Sequence, residues 1–168
     1  MKKLFSKFNI KSAPTKNSGF TLIEILVVIG IIAVLATIVM IAINPARQFA
    51  QARNTQRTSH VETLLNAIGQ HIADNKGVFL GGTPACPALT ASTTREHIDS
   101  GSTGTGIDLS CLTPTYIPAL PTDPDTTYSV APYTGYDISV DANGRITVYA
   151  SKGVEPAIAG SAEISITR

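Results

Sequence analysis

The chain has 168 residues, enough for one ordinary domain and an appendage, and a net charge of +1. That near-neutrality hides a division. Residues 1–19 hold five lysines and no acid, whereas residues 20–168 hold eight Lys and Arg against twelve Asp and Glu, a net −4. An acidic body lacks the cations that neutralise phosphates, which argues against general nucleic-acid binding.

Residues 1–19 (with Lys2, Lys3, Lys7, Lys11 and Lys16) end in Asn17-Ser18-Gly19, a turn and helix-start composition. From Leu22 to Ile43, only Glu24 and Thr37 are charged or hydroxylated, so residues 20–43 read as a transmembrane helix. Twenty-two helical residues cover roughly 33 Å, enough to cross hydrocarbon. The preceding lysines predict a cytoplasmic N-terminus and an exported C-terminal part, periplasmic or extracellular. Cys86 and Cys111 both fall in that exported part, where a disulfide persists. Metal binding by the pair is disfavoured, since the only soft ligand between them is His97.

Residues 44–76 read as an amphipathic continuation of the helix, because Val61, Leu64, Leu65, Ile68 and Ile72 form one stripe. Gly77 is the expected C-cap. One rod from Phe20 to Lys76 is expected, about 85 Å long at 1.5 Å per residue. Pro45 cannot donate to Ile41 and crowds its carbonyl, so a kink or a loosened turn is expected there.

Residues 77–168 are expected to form an exported head. Within 80–113, 18 of 34 residues are Gly, Ser, Thr or Pro, predicting a loop with no more than a turn or short helix near Ala91–His97. A Cys86–Cys111 bridge would close this stretch, contributing about 3 kcal/mol by loop entropy. Tyr128–Val130 is a short candidate strand. Tyr136, Ile138 and Val140 alternate, Asp141-Ala142-Asn143-Gly144 turns, and Ile146, Val148 and Ala150 alternate again, a hairpin signature. Ile164 and Ile166 suggest an edge strand. The expected fold is α+β, a long helix packed on a small antiparallel sheet.

The junction reads Ser18-Gly19-Phe20-Thr21-Leu22-Ile23-Glu24. A secretory signal places its small-residue cut after the apolar run, whereas here the small residue precedes it. This block resembles the signature shared by type IV pilins and type II secretion pseudopilins. The resemblance is carried by Gly19 before the cut, Phe20 after it, Thr21-Leu22 next, and Glu24. It implies cleavage between Gly19 and Phe20 by a prepilin peptidase, N-methylation of Phe20, and delivery to an inner-membrane assembly platform. It also implies polymerisation with like subunits, the Glu24 carboxylate of one meeting the Phe20 ammonium of another. A carboxylate in a spanning helix costs up to about 3 kcal/mol and needs such a partner; snorkelling to headgroups is the competing reading. Leu120-Pro121-Thr122-Asp123-Pro124 resembles the proline-containing segment of the major pseudopilin.

Other signals are weaker. Gly30, Ala33 and Ala36 permit close helix packing. Arg47, Arg53 and Arg57 read first as a solvated helix face. Asp123, Asp125, Asp137 and Asp141 are calcium candidates by ligand type, with turn chemistry as the competing reading. No other cofactor is expected. Catalysis finds no support, because there is no G-x-S-x-G elbow and no P-loop lysine. Gly101–Gly106 looks like a phosphate cradle but lacks the strand–helix context and reads as a flexible loop. His60 and His71, eleven residues apart, lie about 16 Å apart along a helix and cannot share a metal. The leading expectation is therefore a non-enzymatic filament subunit of a pilus, serving adhesion, motility or DNA uptake. A secretion pseudopilin is the alternative, and an anchored binding protein that does not polymerise is the second.

Overall fold

The computed structural model describes residues 19–82, 85–89, 91–101 and 104–168. The lysine-rich residues 1–18, and Ser102 and Thr103 of the glycine-rich loop, lie outside them. The chain separates into two units, Met1–Ile43 and Asn44–Arg168.

In the first unit, α1 runs from Leu22 to Ala42 without a buried residue. Its start is fixed by a capping box. The Glu24 amide donates to Thr21 Oγ1 at 3.2 Å, and the Thr21 amide donates to Glu24 Oε2 at 3.4 Å. Two donors that a helix start leaves unpaired are thereby satisfied. Among the described residues, α1 is the single helix long and apolar enough to cross a membrane.

The expected single rod is not present: α1 stops at Ala42, Ile43 and Asn44 are extended, and α2 begins at Pro45. The reason lies in the proline. At a first helical position Pro45 loses nothing, because that amide has no intrahelical acceptor. Asn44, already pushed out of helical geometry by the following proline, becomes the cap. Its Oδ1 accepts from the Arg47 amide at 3.2 Å.

The second unit is built on α2, Pro45–Asp74. Val61, Leu64, Leu65 and Ile68 form its buried stripe, facing Ile98, Leu109, Leu112, Ile138, Val148 and Ala150. At its end Asn75 is the cap, and Lys76 and Gly77 both take positive φ, 58° and 87°. Gly77 N–H reaches back to the Ile72 carbonyl at 2.8 Å, the long return bond of a Schellman turn. The left-handed C′ position is thus occupied by Lys76, one residue before the expected glycine.

Five strands follow: β1 Ser92–Asp99, β2 Ile107–Asp108, β3 Tyr133–Val140, β4 Ile146–Ala150 and β5 Ile164–Thr167, in spatial order β2-β1-β3-β4-β5. The sheet is mixed rather than purely antiparallel, because β1 and β2 pair in parallel. The expected hairpin is β3–β4, with Val140 opposite Ile146 and Asp141 accepting from the Asn143 and Arg145 amides. β5 is an edge strand on β4.

Two local expectations are corrected. Ala91–His97 forms no helix: residues 92–99 are strand β1, paired with β3 through two register shifts. Those shifts break the alternation that would have announced a strand, and the ladder outweighs local turn propensity. Tyr128–Val130 is not a strand. Asp125 accepts from both the amide and hydroxyl of Thr127, and Tyr128 N–H returns to the Asp125 carbonyl, so the segment is a turn. Cys86 and Cys111 are bridged, Cα atoms 5.2 Å apart, joining the Gly81–Cys86 bridge to the short 3-10 turn Ser110–Leu112.

Candidate processing and assembly site

The N-terminal site consists of an irregular stretch, Gly19–Thr21, leading into the capped start of α1, with Thr21 itself extended. Phe20 is 80 % exposed, and the large apolar side chains that follow it along α1 are exposed by 48–83 %. An uncovered peptide bond ahead of a helix is one a peptidase can reach. Cleavage between Gly19 and Phe20 would leave a cationic amine one residue before the Thr21 cap. Glu24 sits in the first helical turn, where the helix dipole favours negative charge. Its hydrogen bond to the Thr21 amide holds it beside that end. The sequence reading missed this capping role, although Thr21-x-x-Glu24 is the spacing that announces it. Within the helix Thr37 donates to the Ala33 carbonyl at 2.9 Å, satisfying its hydroxyl internally.

A second arrangement lies in the head, around the first half of α2. Arg57 is buried, not solvated. Its Nε and Nη2 donate to the two oxygens of Asp123 at 2.7 and 2.8 Å, and its Nη1 donates to Glu155 Oε1 at 2.5 Å. Arg53 grips Glu155 from the other side, at 2.7 and 2.6 Å. Arg47 alone of the three arginines has an exposed position and no side-chain partner among the described residues. Burial by itself would lower the Arg57 pKa, but the bonds from Asp123 and Glu155 outweigh it and raise the pKa overall. The Arg53 bond, with Arg57 behind it, lowers Glu155 to about 2. Gly135 of β3, at φ 90°, makes room for this network: a Cβ there would come 2.6 Å from the Asp123 Cβ.

The four aspartates considered for calcium are therefore not gathered into one place. Asp123 is committed to Arg57. Asp125 and Asp141 serve their own turns, and Asp141 also receives Arg145 Nε at 2.7 Å. The Thr127 bonds lower the Asp125 pKa and the Arg145 bonds lower that of Asp141. Asp137 pairs with His97 Nδ1 at 2.7 Å and accepts from Tyr133 at 3.0 Å and from Ser151. Among the described residues, no group of three or more His, Cys, Asp or Glu is placed to hold a metal. His60 and His71 point to separate partners, His60 to the Tyr136 hydroxyl and His71 to the rings of Phe79 and Tyr116. In the glycine-rich loop, the Gly106 amide is given to Asp99 at 2.8 Å.

Comparison with protein families finds a match to the prokaryotic N-terminal methylation motif over residues 14–40. No curated protein and no solved structure matches the chain. The matched stretch contains Gly19, Phe20, Glu24 and most of α1, the same residues that build the exposed, capped N-terminal site. The motif is the hallmark of type IV pilin and pseudopilin precursors, and over residues 14–40 the chain is similar to them.

Proposed function

We propose that the chain is a structural subunit of a type IV pilus-like filament and has no enzymatic activity of its own. On this reading it is held in the inner membrane by α1, with its N-terminus in the cytoplasm. A prepilin peptidase cleaves between Gly19 and Phe20, the new Phe20 amine is methylated, and an assembly platform draws the subunit into a helical polymer. The observation that carries the reading is α1 itself, whose 21 residues bury nothing within the chain. So much apolar surface requires lipid before assembly and neighbouring helices after it. The Glu24 carboxylate then meets the Phe20 ammonium of a neighbour, each neutralising the other in a medium where a lone charge is costly.

Glu24→Ala, with maturation followed in parallel, tests this. The variant should be inserted and processed normally but yield no filaments in electron micrographs. Filaments at the unmodified level would remove Glu24 from assembly.

A secretion pseudopilin is the second reading, favoured by the Leu120–Pro124 segment that presents Asp123 to Arg57. Deleting the gene separates the two: loss of surface filaments marks a pilus, and retention of an exported enzyme in the periplasm marks a secretion system.

A further inference from the structure

The start of α2 stands clear of the head. Residues 44–49 are all exposed, and the first buried side chain of the helix is Ala50. Pro45–Phe49 is therefore a stem of about one and a half turns that the second unit leaves uncovered.

Two side chains on this stem lack a suitable environment. Phe49 is 67 % exposed to solvent. Arg47 lies in the first turn, where the positive end of the helix dipole disfavours a cation, and that turn holds no acid to offset it. The sequence contains no Asp or Glu between Glu24 and Glu62. Arg53 and Arg57 obtain their carboxylates from the rest of the head, Glu155 and Asp123. Arg47 has no such partner among the described residues. What the stem lacks is an anion beside an apolar boundary.

Chain length places such a boundary within reach, however the two units are arranged. α1 ends at Ala42, and Ile43 and Asn44 are extended. Two extended links from Ile43 to Pro45 span at most about 7 Å, and four helical residues add about 6 Å, so the Arg47 and Phe49 Cα atoms both lie within about 13 Å of Ile43. The headgroup layer outside the hydrocarbon is itself about 5–8 Å thick on each side. A long arginine side chain reaches back to it across the remaining distance, and an aromatic ring is accommodated where headgroups meet acyl chains.

We infer that Arg47 and Phe49 form a lipid-docking foot: the Arg47 guanidinium binds the phosphates of anionic headgroups, and the Phe49 ring enters the headgroup–acyl boundary. The inference rests on the reading of α1 as a membrane anchor and concerns the subunit before assembly. The foot ties the base of the head to the bilayer surface, so that two extended residues do not leave the head swinging freely above it.

The chain has no tryptophan, so a single introduced one reports alone. The full chain is placed in vesicles containing phosphatidylglycerol, with Phe49→Trp as the probe and Ile32→Trp, inside α1, as the reference. Phe49→Trp fluorescence should be blue-shifted, quenched by lipids brominated near the top of the acyl chain, and screened from aqueous acrylamide. Adding Arg47→Glu, or exchanging phosphatidylglycerol for phosphatidylcholine, should remove most of that lipid quenching. Arg47→Glu suits the helix dipole, so its effect is not one of unfolding the stem. Three results would overturn the foot: free quenching of Phe49→Trp by acrylamide, lipid quenching that neither Arg47→Glu nor the lipid exchange alters, or screening from acrylamide without lipid quenching, which would mean that a second copy or another protein covers the stem. If Ile32→Trp is not quenched by lipids brominated deep in the chain, the anchor reading itself fails, and that outcome is distinct from the other three.

Discussion

Arg57 on α2 and Asp123 in the proline-flanked loop are joined by two parallel hydrogen bonds, 2.7 and 2.8 Å long, with both side chains withdrawn from solvent. They lie 66 positions apart in the chain. Between them they fix where the loop crosses the helix, and Glu155 adds a third segment to the same guanidinium.

Breaking this pair from one side should be more damaging than its modest size suggests. Asp123→Ala leaves Arg57 buried with one carboxylate instead of two, and loss of one partner of a buried pair costs about 3–5 kcal/mol. Urea denaturation of the detergent-solubilised protein should show a large fall in midpoint with an unchanged slope. Arg57→Lys should also be destabilising, because an ammonium cannot reproduce the fork. A midpoint within error of the unmodified protein would refute the structural role.

Acid should weaken the head in two stages. Burial lowers His60 from its ordinary 6.5, so its neutral form is the one the fold prefers, and stability begins to fall as the pH drops below that value. Glu155 is lowered from 4.5 to about 2 by its arginines. Its contribution is complete above pH 4.5 and is lost progressively as the pH falls towards 2. The urea midpoint should therefore decline from pH 7 to pH 3. Glu155→Gln should lower it at neutral pH and flatten the decline below pH 4.5. A midpoint that rises on acidification would contradict the assignment.

Lys76 occupies the left-handed position that ends α2, at φ 58°. A side chain there costs about 1 kcal/mol relative to glycine. Lys76→Gly should raise the thermal midpoint by a few degrees, and differential scanning calorimetry would register it. A lowered midpoint would mean that the lysine side chain makes a compensating contact.

Reduction of the Cys86–Cys111 bridge should destabilise the head by about 3 kcal/mol, since the bridge closes a loop of 25 residues. Protease sensitivity should appear first beside Cys86, where the bridge ties the isolated Gly81–Cys86 pairing to the Ser110–Leu112 turn. Identical urea midpoints with and without reductant would remove the bridge from the stability of the head.

Much of this architecture was legible in local pattern. The apolar block from Leu22 to Ile43 declares itself by length and continuity, while the Val61–Ile72 stripe and the alternation on either side of Asp141–Gly144 each repeat at the period of the element they form. What escaped was set by partners distant in sequence or by one residue with two meanings. Asn44-Pro45 reads equally as a kink or as a cap and first turn, and the capping bond to the Arg47 amide decides for the second. β1 lies in a Ser/Thr-rich stretch whose register shifts erase the period of two, so only pairing with β3 reveals it. Arg57 looked like its neighbours Arg47 and Arg53 on an exposed face. Nothing within a turn of it announces Asp123 or Glu155. For the aspartates, ligand type alone suggested a metal, while the hydrogen bonds assign each to an arginine, a histidine or a turn. At the N-terminus, Thr21-x-x-Glu24 has the spacing of a cap, while a charge inside an apolar span equally signals an assembly contact.

Mass spectrometry of the native protein's N-terminus tests the central claim most directly. The account predicts a mature chain that begins at Phe20 with a methylated amine and retains α1 intact. A native chain that still starts at Met1, or one that starts beyond Ile43, would contradict it.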